Sequence, residues 1–88
     1  MRHKSHPEIL KRLRRANGHL RTIINMIENG EACLEISQQL EAVEKAILNA
    51  KKALIHDHID HCLQQSVRAS TQKGRAALSE LRTITKYL

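Results

Sequence analysis

Half of the six histidines and one of the two cysteines fall inside seven residues, the run HDHIDHC at positions 56–62. Imidazole nitrogen and thiolate sulfur are the usual protein donors to zinc, nickel, cobalt and copper. In a helix, the four-residue step from His58 to Cys62 sets both on one face, where they can hold one ion together. His61 lies beside that face, placed to support a ligand, and His56 points substantially away. Two donors leave such an ion under-coordinated, because these metals take three or four ligands. The remaining thiol is Cys33, and His3 and His6 near the N-terminus could swing in as a further ligand. A bland reading stands beside this one. A cysteine on a helix is most often a small buried hydrophobe, and a lone histidine on an exposed helix is usually just solvated. His19, His56 and His61 fit that description better than they fit ligation.

Whether Cys33 can join the pair depends on the elements that carry it. The chain has 88 residues, no Trp, no Phe, one Tyr, three Gly and one Pro. Its apolar residues are mainly Leu, Ile, Ala and Val, which suits helices and argues against a sandwich or barrel. Apolar positions recur in steps of three and four at Ile9, Leu10, Leu13, Ala16, Leu20, Ile23, Ile24 and Ile27. That period predicts a first helix over about 7–28, with Pro7 in its first turn and Asn29-Gly30 as a stop. The pattern resumes from Leu34 to Leu63 without a Gly or Pro. It predicts one helix over about 31–66, roughly 50 Å long. Ser70 to Gly74 make a polar break, and Ala77, Leu78, Leu81, Ile84 and Leu88 predict a short third helix over about 75–87. Residues 1–88 read as one domain, with 1–6 as a mobile tail.

Such an arm is longer than a compact chain of this size needs, so part of it must lie against a second copy. The ligands point the same way. Cys33 and His58 stand roughly 40 Å apart on a continuous helix, and one chain cannot bring them together. Two long helices lying antiparallel across a dimer can do so, and two-fold symmetry then makes two equivalent sites.

Charge adds a partner. Lys and Arg number 15 against 9 acidic residues, a net +6 with His neutral. That excess favours an anion, with nucleic acid the first candidate. Lys11, Arg12, Arg14, Arg15 and Arg21 lie on the first helix, and Lys45, Lys51 and Lys52 on the second. The like charges of Arg12, Arg14 and Arg15 repel one another without a partner. No groove-reading motif is present, so contact would run mainly to phosphates, with sequence read partly through DNA shape. For Arg21 and Lys45 a solvated basic face is an equally good account. No apolar run can span a bilayer and no signal-peptide pattern opens the chain, so a cytoplasmic protein with free thiols is expected.

From about Ile9 to Leu88 the chain resembles the copper-sensitive operon repressor family, all-helical bacterial transcriptional repressors with copper, nickel, formaldehyde and persulfide branches. The likeness rests on RLRRANGHL (12–20), MIENGEAC (26–33), QQLEAVEKAI (38–47) and HDHIDHC (56–62). Cys33, His58 and Cys62 fall on the family's three main sensor positions. The resemblance implies an all-α three-helix protomer, an antiparallel four-helix-bundle dimer and a dimer of dimers. It also implies a repressor that binds operator DNA when empty and lets go when its effector binds at a site shared between chains.

On this resemblance Cys-His-Cys suits Cu(I), and with an added N-terminal His, from His3 or His6, it suits Ni(II) or Co(II). Glu80 matches the copper pattern as a residue supporting the site, whereas Ala32 stands where copper sensors tend to carry Tyr. The persulfide branch lacks the His that His58 supplies. The formaldehyde branch needs a reactive Pro at the mature N-terminus and usually no second Cys, whereas Pro7 is internal and Cys62 is present. The resemblance therefore points first to Ni(II) or Co(II) and next to Cu(I). Lys11, Arg12, Arg14 and Arg15 become the DNA contacts, joined by Lys51 and Lys52, because an Arg the family often carries near Asn49 is absent. The rival class is a small all-helical dimeric enzyme of chorismate-mutase type, holding an anionic substrate with Arg and Lys. It explains the charge and the long helix but leaves the Cys33, His58, Cys62 spacing as coincidence. A plain coiled-coil module, the third option, has no use for the histidine-rich end.

Overall fold

The computed structural model describes residues 6–66 and 72–88. His3 and residues 67–71 lie outside that range. Three helices follow in order: α1 (His6–Glu28), α2 (Cys33–Ser66) and α3 (Gln72–Ile84), with a 3-10 turn over Thr85–Tyr87. All three expected helices are present, and the described residues form no strand. His6, expected in the tail, is the first residue of α1. α3 starts earlier than its apolar pattern suggested, because Gly74 sits buried inside its first turn rather than in a loop. A glycine there costs the helix about 1 kcal/mol against alanine, which is why it read as a break.

The turn between α1 and α2 is set by Gly30, whose φ is +68°. Glu31 N–H donates to the Met26 carbonyl and Gly30 N–H to the Ile27 carbonyl, the paired closure of a helix ending on a left-handed residue. α2 then doubles back along α1. Ile9, Ala16 and Ile23 are buried on α1, and Val43 and Ala50 on α2. Their seven-residue spacing keeps one stripe of each helix facing the other. Ala16, Ile23 and Val43 form the core cluster, with Leu20 and Ile36 packed against it. His19 Nε2 and Gln39 Oε1, 2.6 Å apart, bridge the two helices in the same register.

α1 begins at His6, so on that register it covers α2 only to about residue 53. Beyond that point α3 takes over, and Ile55 and Cys62 of α2 are buried with Ala77 of α3. From Ala50 to Ile55 the buried positions step by five, which turns the covered face by about 140° around the helix axis. α3 therefore packs on a different side of α2 from α1. The result is an elongated protomer, 60 × 23 × 14 Å, with a long helix capped differently at each end.

A second apolar stripe remains open. Leu13, Ile24 and Ile27 on α1 and Leu40, Ile47 and Leu54 on α2 are all exposed in the single chain. The α2 positions again repeat every seven residues. No helix is long and apolar enough to cross a membrane.

Candidate metal centre

The far end of α2 and the middle of α3 meet in a cluster. A ligand atom from each of His58, Cys62 and Glu80 lies within 4.8 Å of the other two. The four-residue step on α2 sets His58 and Cys62 on the side that α3 covers, and Glu80 comes in from α3. His58 Nε2 and Glu80 Oε2 are 3.2 Å apart. Glu80 was expected to support the site from outside; it enters the cluster directly, because α3 starts early and reaches His58 at mid-length.

Cys62 is wholly buried, whereas the carboxylate side of the cluster opens to solvent. Burial pushes the Cys62 thiol above its ordinary pKa, and the negative charge of Glu80 adds to the rise. Both effects favour the neutral thiol at neutral pH. A bound cation would favour the thiolate instead, so ligation at Cys62 would require loss of its proton. A shallow, largely apolar groove of about 360 Å³ runs past His58 and Glu80, lined also by Ser79, Thr83, Ile84 and Tyr87.

The other expected ligands are not brought to this point. Cys33 is the first residue of α2 and exposed, at the opposite end of the long helix. His6 lies at the start of α1 and His3 outside the described residues. His61 is half-buried beside the cluster and outside it, and His56 is exposed. A site that includes Cys33 needs a second chain.

The basic residues gather elsewhere. Lys11, Arg12, Arg14 and Arg15 are all exposed on α1, and Lys51 and Lys52 on α2. Lys11, Arg12 and Arg15 line a groove of about 350 Å³ between α1 and α2, with Glu8, Ala16, His19, Ala46 and Asn49. Lys51 and Lys52, expected to take the place of the missing Arg, do not line it. Asn49 and His19 were not anticipated there. The signal was available: positions 8, 11, 12, 15 and 19 all fall on one helical face.

The family model described as metal-sensitive transcriptional repressor matches residues 5–87. The chain belongs to this family. As a metal-responsive transcriptional repressor it is not an enzyme, and the chorismate-mutase alternative falls away. It is 37% identical to the copper-sensing transcriptional repressor CsoR of Bacillus subtilis, a match covering 98% of this chain and 86% of that protein. It is 35% identical to a CsoR of Mycobacterium ulcerans over 89% of this chain and 65% of that protein, so it spans about two thirds of the mycobacterial relative. Among solved structures it is similar to the copper-sensing repressor CsoR with Cu(I) from Geobacillus thermodenitrificans. The TM-score is 0.80 at 30% identity, covering 99% of this chain and 90% of that one. These relatives are named for copper; none of them supports the expectation of nickel or cobalt.

Proposed function

We propose that this repressor responds to Cu(I), holding operator DNA when metal-free and releasing it when the ion binds at a site shared by two chains. The observation that carries the reading is the meeting of the buried Cys62 with His58 and Glu80 at the α2–α3 junction. Cu(I) is soft and takes thiolate and imidazole. Cys62 and His58 of one chain with Cys33 of a second give two sulfurs and one nitrogen, a fitting set. The copper-sensing relatives support the same choice.

The residues of this chain divide the work. Cys62 gives up its proton to become a ligand. Glu80, beside His58 Nε2, orients the imidazole. Since Glu80 rides on α3, a change at His58 is felt by α3 as well as α2. The exposed stripe of Leu13, Ile24, Ile27, Leu40, Ile47 and Leu54 pairs two protomers as an antiparallel four-helix bundle, and dimers associate further into tetramers. The exposed Lys11, Arg12, Arg14 and Arg15, with Lys51 and Lys52, meet DNA phosphates. Coupling of about 1–3 kcal/mol between metal and DNA suffices for a switch.

One observation favours a second reading. A sulfur, a nitrogen and a carboxylate oxygen brought together also suit a borderline ion such as Ni(II) or Co(II), with His3 or His6 completing the site. Anaerobic titration of the reduced protein with Cu(I), Ni(II) and Co(II), each followed by DNA-release anisotropy on the protein's own upstream DNA, separates the two. Release by Cu(I) alone is expected. Release by Ni(II) or Co(II) alone selects the second reading, and metal binding without release defeats the switch.

A further inference from the structure

Leu34 directly follows Cys33, and among the described residues no large apolar side chain is more exposed, at 71%. Its place on α2 shows where cover can come from. Leu34, Glu41, Leu48, Ile55 and Cys62 fall on one seven-residue line along the helix, and Ile55 and Cys62 are buried on the side that α3 covers. The open stripe of Leu40, Ile47 and Leu54 lies about 100° away around the axis. Cys33 is one heptad before Leu40 on that stripe, and His58 is one turn past Leu54. Two α2 helices that face antiparallel through the stripe are related by a two-fold axis across the pair. That axis keeps corresponding flanks on the same side. The flank of the partner's α2 that carries its Leu34 therefore lies on the side where this chain carries α3. With the partner's Cys33 at His58 and Cys62, the partner's Leu34 falls against the edge of α3 next to His58.

That edge is the largely apolar groove of about 360 Å³ that runs past His58 and Glu80 to Thr83, Ile84 and Tyr87. Thr83 Oγ1 donates to the Ser79 carbonyl at 3.2 Å, so its hydroxyl is engaged within α3. We propose that this groove receives Leu34 of a second copy of the chain, and that the seated leucine fixes the first turn of the partner's α2 so that its Cys33 meets His58 and Cys62. The proposal rests on the shared-site reading above and deepens it. Leu34 touches no metal; it is a positioning residue that acts through Cys33.

Cross-linking tests the contact. In a chain carrying Cys33→Ser and Cys62→Ser, the pair Leu34→Cys and Thr83→Cys supplies two thiols that a single chain cannot join. Residue 34 stands roughly 36 Å along α2 from His58, the residue beside the groove. Oxidation with diamide should give a covalent dimer whose peptide map joins residues 34 and 83, since a disulfide forms only with Cα atoms within about 7 Å. The parent, oxidised in the same way, reports the shared site through a disulfide between Cys33 of one chain and Cys62 of the other. A Cys33–Cys62 link between chains with no link between 34 and 83 overturns the groove and leaves the shared site standing. Absence of both links overturns both. In the parent background, Leu34→Gln should weaken Cu(I) binding roughly 10-fold in chelator competition, with dimer mass and circular dichroism unchanged. Leu34→Met should stay close to the parent, because it keeps an apolar side chain of similar volume. A Leu34→Gln protein that binds Cu(I) as tightly as the parent overturns the positioning role.

Discussion

Two defective variants should repair each other if the metal site is shared between chains. Cys33 opens α2 and Cys62 lies near its end, so the rise of the helix puts them about 44 Å apart. No bend in a side chain spans that distance, and one chain cannot supply both thiolates to one ion. A Cys33→Ser chain keeps Cys62 and His58; a Cys62→Ser chain keeps Cys33. Each alone should lose tight Cu(I) binding by at least about 100-fold, because removing a ligand costs more than removing a group that merely orients one. In a mixed dimer, the Cys33 of one chain meets the intact Cys62 and His58 of the other. One of the two symmetric sites is then whole, and the second lacks both thiols.

The expected yield follows from counting. Equal amounts refolded together give about half mixed dimers, each with one working site of two, so about one quarter of the parental sites should return. The assay is competition with a Cu(I) chelator of known affinity, on the reduced proteins mixed before and after refolding. Mixing without exchange of chains serves as the blank. Recovery near zero after verified exchange would refute the shared site. So would a Cys33→Ser protein that binds Cu(I) as tightly as the parent, which would leave Glu80 as the third ligand within one chain.

Four further outcomes follow from the geometry. Burial and Glu80 hold the Cys62 thiol protonated, so ligation must expel that proton; apparent log affinity for Cu(I) should rise by about one per pH unit on account of Cys62 between pH 6 and 8, and Cys62→Ser should remove that share of the slope. The same raised pKa sets the sign for the metal-free protein: stability is unaffected below the ordinary thiol range and falls above about pH 9, where the unfolded chain ionises first; Cys62→Ala should abolish this component in melts run from pH 8 to 10.5. Glu80→Gln removes the charge beside the thiol and should lower the Cys62 pKa, read as thiolate ultraviolet absorbance against pH; an unmoved curve would contradict the electrostatic account. Gly30→Ala forces a side chain into the left-handed region at φ +68° and should cost about 1–2 kcal/mol, measured as a lower Tm with unchanged metal stoichiometry.

The helices were legible in the sequence because their apolar residues repeat with the helical period and because Asn29-Gly30 marks the turn. The stretch 56–62 was legible as chemistry because imidazole and thiolate four residues apart share a face. Periodicity could not show which of two apolar stripes on α2 faces α1. The stripe through Ile36, Val43 and Ala50 is covered, whereas that through Leu40, Ile47 and Leu54 stays open. Both repeat every seven residues, and only the register of the hairpin separates them. The start of α3 was missed because local propensity treats Gly74 as a break, while burial against the rest of the chain keeps it helical. Glu80 was visible only through the family likeness, since nothing local links position 80 to position 58. The basic groove was half legible: its cations stood out, but Asn49 and Ala46 gain meaning only when α2 is laid beside α1.

The change of face along α2 explains why one helix can serve both ends of a switch. Up to Ala50 its buried stripe belongs to α1, and the same segment contributes Ala46 and Asn49 to the basic groove. After the five-residue step to Ile55 the buried side belongs to α3, and this segment contributes His58 and Cys62 to the candidate metal centre. Asp57 takes the next place on the α1 stripe, beyond the first turn of α1, so a polar residue there does not interrupt the hairpin core. A helix of 34 residues packed at both ends would carry a shift from one end to the other as a rigid element, without needing the two sites to touch. On the proposed assembly, metal would tie the partner's Cys33 to the His58 end of this chain. A shift in the angle between the two α2 helices would then change the spacing of basic grooves on different chains, while each groove keeps its own shape. DNA with fixed phosphate spacing responds to that spacing. Charge neutralisation at the distant metal centre would be screened over a Debye length of about 10 Å before it reached the groove.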